Sequence, residues 1–238
     1  GRMRDAIGQG RQVRNVPAPR TTEQSPNQTH KRRRRQTDQG EEIKMDIVTS
    51  NKVQRIPYVT FKTRTGDDHV VGGCTFIGGE WKEVDTQEIF AGRRVVVFAL
   101  PGAFTPTCSS QQLPGYEDLY DNIKADGIDE IYCLSVNDAF VMNAWFRDQK
   151  ITKVKPIADG EGAFTQGMHM LVNKPKQGFG NRSWRYSMIV NDGLIEVLFE
   201  EKGKNSASDD NDPFEVSGAE HMLKYFKNRN IYKKKNAG

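Results

Sequence analysis

The octapeptide Pro101-Gly102-Ala103-Phe104-Thr105-Pro106-Thr107-Cys108 holds the residues of this chain best suited to chemistry. A cysteine sulfur attacks electrophiles as the thiolate, so its reactivity depends on what stabilises negative charge around it. Residues 95–100, Val-Val-Val-Phe-Ala-Leu, are β-branched and apolar, the pattern of a strand buried on both faces. Beyond the cysteine, Leu113, Tyr116, Leu119, Tyr120 and Ile123 recur at helical spacing. Cys108 is therefore expected in the first turn of a helix, where unpaired N–H groups and the positive end of the helix dipole favour a thiolate. Thr105 sits one helical turn earlier, its hydroxyl placed to donate to the sulfur. A buried, inert cysteine in a strand-to-helix turn fits the same pattern. One cysteine without a partner does not choose between the two.

The elements that must position this turn lie on both sides of it. An edge strand is expected over residues 53–62, and Thr65-Gly66 opens a turn. Residues 69–80 carry the pairs Gly72-Gly73 and Gly78-Gly79 around Cys74 and read as a hairpin flap, followed by a strand over 81–84. Asp85 caps a short helix ending at Gly92. Residues 131–136 form a second buried strand, in which Cys133 behaves as a small hydrophobe. Asn137-Asp138 cap a helix bearing Trp145 and Phe146, residues 155–159 form a strand, and a helix carries Phe164, Met168 and Leu171. The run 178–190 reads as one strand, with Arg182 and Arg185 as the basic residues able to face a thiolate. Asn191-Asp192-Gly193 turns it into a partner strand over 194–199. Ser217-Gly218-Ala219-Glu220 reads as a capping box opening a last helix.

Pro101-x-x-x-Thr105-x-x-Cys108 resembles the active-site signature of the peroxiredoxins, thiol peroxidases built on the thioredoxin fold. The wider wording of 101–109, with Leu134-Ser135-Val136-Asn137-Asp138-Ala139-Phe140-Val141, is similar to the type II, peroxiredoxin-5-like members, and to the peroxiredoxin half of bacterial peroxiredoxin–glutaredoxin hybrids. The likeness spans about residues 55–227. It implies an α/β, thioredoxin-like fold, a central mixed sheet flanked by helices. It implies reduction of hydrogen peroxide and alkyl hydroperoxides through a Cys108 sulfenic acid. In the implied roles Thr105 accepts from the peroxide, Pro101 covers the pocket, and the arginine before the aromatic-Ser-Met run, Arg185, faces the sulfur. A homodimer is implied as well, with Phe104, Trp145 and Phe179 as candidates to be covered in it. Animal relatives carry a resolving cysteine in the loop before the last helix. The matching stretch, Phe214-Glu215-Val216-Ser217, has none. An external reductant is therefore expected, glutathione with glutaredoxin first and thioredoxin second, with no bound cofactor. A two-cysteine route through Cys74 is the internal alternative.

Composition bounds the rest. The 36% hydrophobic content is low for 238 residues and points to an unstructured part. Residues 1–44 hold 11 Lys and Arg against 5 Asp and Glu, the remainder 24 against 26, so the net charge of +4 belongs to the N-terminal segment. The expected division is a disordered basic extension over 1–50, a thioredoxin-fold domain over 51–230, and a flexible basic tail over 231–238. Lys31-Arg32-Arg33-Arg34-Arg35 is read as solvated tail, with nucleic-acid binding or organelle targeting as alternatives. No apolar run reaches the roughly eighteen residues of a membrane helix, and no secretory signal is expected. Three cysteines are no disulfide framework and suit a reducing, cytoplasmic setting. Neither they nor the four histidines fall at metal-ligand spacing. A thiol–disulfide oxidoreductase would share the fold but needs Cys-x-x-Cys, and Thr105 occupies the first of those positions.

Overall fold

The computed structural model describes residues 54–66, 69–70, 76–204 and 211–236. The basic extension and Cys74 lie outside the described residues. Chain order runs β1 (Thr60–Thr65), β2 (His69–Val70), β3 (Phe76–Ile77), β4 (Glu80–Asp85), α1 (Thr86–Phe90) and β5 (Arg94–Leu100). A π-helical turn (Cys108–Gln112) leads into α2 (Leu113–Asp118) and α3 (Tyr120–Lys124). Then come β6 (Glu130–Ser135), α4 (Ala139–Asp148), β7 (Lys155–Ala158), α5 (Ala163–Gly167), β8 (Leu171–Lys174) and β9 (Gly180–Ser183). The hairpin β10 (Tyr186–Asn191) and β11 (Leu194–Glu200) precedes α6 (Ala219–Asn236).

The central sheet has five strands in the order β11-β10-β5-β6-β7. β5, β6 and β7 are parallel, while β10 is antiparallel to both β5 and β11. β5 occupies the middle because its side chains suit burial on both faces. Val96, Phe98 and Leu100 join the core beneath α2, α3, α4 and α6, and Val95, Val97 and Ala99 the core with α1 and α5. Each larger apolar side chain so enclosed contributes about 1.5–3 kcal/mol. This is a mixed α/β, thioredoxin-like fold. Among the described residues no helix is long and apolar enough to cross a membrane.

Several boundaries differ from the sequence expectation for identifiable reasons. The first strand begins at Thr60, and only Arg55 of the preceding residues makes an isolated bridge, to Leu194. β2 and β3 pair antiparallel, as a hairpin would. The helix expected to continue to Leu171 stops at Gly167, because His169 takes a left-handed φ of 58° and Leu171 begins β8. The run read as one strand breaks at Trp184-Arg185: β9 pairs with β8, and β10 with β5. Ser217 turns its hydroxyl to Glu201 at 2.8 Å instead of closing a capping box. α6 continues to Asn236, through most of the segment expected to be a flexible tail. Asp192-Gly193, with φ of 49° and 74°, forms the left-handed two-residue turn that matches the strands' twist.

One carboxylate of α2 fastens it to the connection between α4 and β7. Half-buried Glu117 accepts from the N–H groups of Thr152, Lys153 and Val154 and from the Thr152 hydroxyl, at 2.8–3.2 Å. Burial alone would raise its pKa, but these donors hold it below the ordinary glutamate value. A group depressed in this way stabilises the fold above its unfolded pKa, and that contribution is lost as pH falls through the folded value. Glu117→Gln should therefore cost about 1 kcal/mol near neutrality, the site being partly screened by solvent. Thermal melts at about pH 7 and about pH 3 should show a clear gap between variant and parent at the first and a closed one at the second.

Candidate active site

The sheet's register brings the site together. Tyr186 pairs with Ala99, so continuing the register sets Arg185 opposite Leu100, at the point where β5 passes into the loop 101–107. The loop is held from the next strand. Asn137, just after β6, accepts the Ala103 N–H at 3.0 Å and the Ser135 hydroxyl at 2.7 Å on the same oxygen. The sequence reading gave Asn137 a capping role, but Asp138 alone caps α4, accepting from Val141 at 3.0 Å. Gly102 sits in a tight space: a Cβ there would lie 3.2 Å from an Arg182 guanidinium nitrogen and 3.3 Å from the Thr105 methyl, so both side chains would have to give way. Phe104 adopts a left-handed φ of 61°, a strained state for a bulky residue, with its ring 55% exposed.

Cys108 is fully buried and opens the π-helical turn. The Leu113 N–H bonds the Cys108 carbonyl, five residues back. Pro114 supplies the cause, since it has no N–H to offer Ser110 and its ring would press on that carbonyl in a regular helix. Such bulges are frequent at functional sites. The helix start is tied down elsewhere: the Ser109 N–H donates to the Thr105 carbonyl at 3.0 Å, and the Trp145 indole donates to the Ser109 hydroxyl at 3.0 Å.

Arg185 is 1% exposed, and its Nη1 lies 3.5 Å from the Cys108 sulfur. The same nitrogen bonds the Gln112 side-chain oxygen, and Nη2 pairs with the Asp212 carboxylate. The Phe214 ring centroid lies 5.8 Å from the guanidinium. Burial would lower the Arg185 pKa, but Cys108 and Asp212 together raise it above the ordinary value. Two buried donors of the same residues, Gln112 Nε2 and Arg185 Nε, have no hydrogen-bond partner among the described residues.

Of the residues proposed from sequence, Cys108 and Arg185 meet, while Thr105 and Pro101 belong to the loop that ends at the sulfur, Pro101 being buried. The Thr105 hydroxyl does not point a hydrogen at the sulfur. It donates to the Gly102 carbonyl at 2.8 Å. Arg182 is occupied as a brace, donating to the Phe179 carbonyl at 3.0 Å and the Val136 carbonyl at 3.2 Å. Trp145 is fully buried within the chain, so it is not available to a subunit interface. Burial pushes the Cys133 thiol well above its ordinary pKa, Cys108 adds to this and Arg185 opposes it, so Cys133 stays a protonated core residue. Gln112 and Asp212 were missed. Gln112 is polar on a buried helical face, which was a usable signal, whereas Asp212 lies in a polar loop far from the motif and offered none.

The redoxin family profile matches residues 57–223. A peroxiredoxin of Rhizobium etli is 49% identical over 176 residues, covering 73% of this chain and 95% of its own. The hybrid peroxiredoxin hyPrx5 of Haemophilus influenzae is 48% identical over 178 residues, 75% of this chain and 67% of that one. Among solved structures, reduced Prx3 of Vibrio vulnificus in complex with hydrogen peroxide superposes with a TM-score of 0.63 at 38% identity, over 75% of this chain and 96% of that one. The Plasmodium falciparum antioxidant protein, a 1-Cys peroxiredoxin, gives 0.65 at 33% identity, over 74% and 98%. On these matches, with its buried thiol and arginine both inside the matched residues, the chain belongs to the peroxiredoxins, of type II, and is a thiol peroxidase.

Proposed function

We propose that peroxide reduction runs through Cys108 alone and that an external thiol, glutathione working with glutaredoxin, restores it. The carrying observation is the Arg185 guanidinium, 3.5 Å from a sulfur at the start of a helical segment. It supplies delocalised positive charge where the thiolate sits and where charge builds on the departing oxygen. The thiolate attacks one peroxide oxygen; an S–O bond forms as the O–O bond breaks. The sulfur is oxidised to sulfenic acid, and the other oxygen leaves as hydroxide or alkoxide and takes a proton. Thr105, already donating its own hydrogen to Gly102, keeps lone pairs free to accept the peroxide O–H. Pro101 helps exclude water from the buried sulfur, which protects the sulfenic acid. A glutathione thiolate then attacks that sulfur, expelling hydroxide and leaving a mixed disulfide. A second thiol reduces the mixed disulfide to the Cys108 thiol.

Hydrogen peroxide and small alkyl hydroperoxides are the proposed substrates, and the peroxide-bound Vibrio relative supports the first. Two further observations favour an external reductant: the loop before α6 has no cysteine, and the similar Plasmodium protein is a 1-Cys peroxiredoxin. The sparse cysteines suit a reducing compartment such as the cytoplasm. Peroxide consumption driven by glutathione plus glutaredoxin, compared with thioredoxin and its reductase, tests this reading. Turnover with thioredoxin alone, or a dominant Cys74–Cys108 disulfide mapped after one equivalent of peroxide, would sink it. We further propose a homodimer that covers Phe104, whose exposed ring the strained loop presents to solvent. Light scattering of the reduced protein at micromolar concentration should give twice the chain mass, and a monomer mass would refute it.

A further inference from the structure

We propose that Asp212 is the standing counter-ion of Arg185, keeping the guanidinium in place through the half of the cycle in which the Cys108 sulfur carries no charge. The inference rests on the reading of Cys108 as peroxidatic and goes beyond it.

One buried cation here faces two potential anions. Arg185 is 1% exposed, and its two terminal nitrogens divide the work. Nη1 faces the Cys108 sulfur at 3.5 Å, and Nη2 pairs with the Asp212 carboxylate, whose side chain is 41% exposed. The loop that brings Asp212 in is itself fastened. Glu201, 2% exposed, accepts the N–H groups of Glu215, Val216 and Ser217 at 2.9 Å on a single oxygen, along with the Ser217 hydroxyl at 2.8 Å. The Glu201 N–H in turn donates to the Arg185 carbonyl at 3.1 Å. One residue therefore fixes both the backbone of the arginine and the loop that carries its second partner.

The charge balance changes during turnover. When the thiolate attacks the peroxide, its negative charge departs with the leaving hydroxide or alkoxide. In the mixed disulfide that follows, the sulfur is neutral. A guanidinium left buried without a counter-charge is strongly destabilised, and it would swing outward or admit water. Asp212 removes that penalty, so the arginine is still in position when the thiolate is regenerated. In the reduced enzyme the same carboxylate competes with the thiolate for the guanidinium, so there its removal is compensated. Asp212 is thus a positioning residue whose importance depends on the state of the sulfur.

That dependence gives the test. Thermal midpoints are measured for wild type, Cys108→Ser, Asp212→Asn and the double variant, serine standing for the uncharged sulfur. Asp212→Asn should lower the midpoint by about 2–4 °C more in the Cys108→Ser background than in the reduced wild type. Asp212→Glu should remove most of that excess. If the double variant does not fold, wild type and Asp212→Asn are compared instead, each reduced and each methylthiolated at Cys108, where the sulfur is neutral. Equal losses in the two sulfur states would overturn the proposal, since a merely structural aspartate is indifferent to charge at sulfur. The comparison needs no turnover. Persisting peroxide reduction in Cys108→Ser would instead refute the nucleophile assignment and leave the stability result to be read separately.

Discussion

Cys108→Ser is expected to abolish peroxide reduction. A serine hydroxyl does not ionise near neutrality, so a residue of nearly the same shape offers the Arg185 guanidinium no anion and the peroxide no nucleophile. The loss should leave the fold in place, because the site is held by contacts the substitution does not touch: Asn137 on Ala103, Trp145 on Ser109, Asp212 on Arg185. Cys133→Ser is the matched control. Cys133 lies on β6 paired with Phe98, fully buried, and a hydroxyl there without a partner costs roughly 1–3 kcal/mol of stability yet leaves the nucleophile intact. Peroxide consumption under excess thiol reads both variants. More than a trace of activity in Cys108→Ser, or its disappearance in a folded Cys133→Ser, would reverse the assignment.

Arg185→Ala should lower the rate constant with hydrogen peroxide by about 10²–10³-fold, the usual effect of losing one preorganised donor to a developing oxyanion. Arg182→Ala should cost less than about tenfold, since Arg182 acts on the loop through backbone carbonyls and Gly102, not on the sulfur. Arg185→Lys should rescue little, because an ammonium cannot span the sulfur, Gln112 and Asp212 at once as the planar fork does. Stopped-flow rates of reduced protein with peroxide separate the cases. A larger loss in the Arg182 variant would exchange the two roles.

The contrast between the two arginines shows where sequence patterns carry and where they stop. β5, β6 and the Cys108 turn were legible because their signals are local: a β-branched run, a proline-punctuated loop, an amphipathic helix. Period two would put Arg182 and Arg185 on opposite faces of one strand, but the chain breaks between them. The Trp184 N–H donates to the Met170 carbonyl at 2.7 Å and its indole to the Glu201 carbonyl at 2.8 Å, contacts made to residues distant in sequence. The end of α5 was misjudged for a related reason. A Cβ at Gly167 would lie 2.7 Å from the Pro57 ring, so the stretch just ahead of β1 packs directly on the helix end. Asp212 acquires its meaning only from the buried guanidinium it meets in space. No spacing in the chain encodes that.

The pairing of β10 with β5 has a consequence for how the activity fails. Arg185 sits just ahead of β10, and the loop to Cys108 leaves β5 beside it, so the register Tyr186–Ala99 sets where the arginine stands relative to that loop. A slip of one residue would move the arginine by about 3.3 Å and send alternate side chains to the opposite core. No gradual loosening lies between the working and the slipped arrangement, because Met188 and Ile189 would each have to cross the sheet. Peroxide reactivity and amide-exchange protection of β5 and β10 are therefore one cooperative property. Heating should raise the rate per folded molecule smoothly, with no loss until the sheet itself opens.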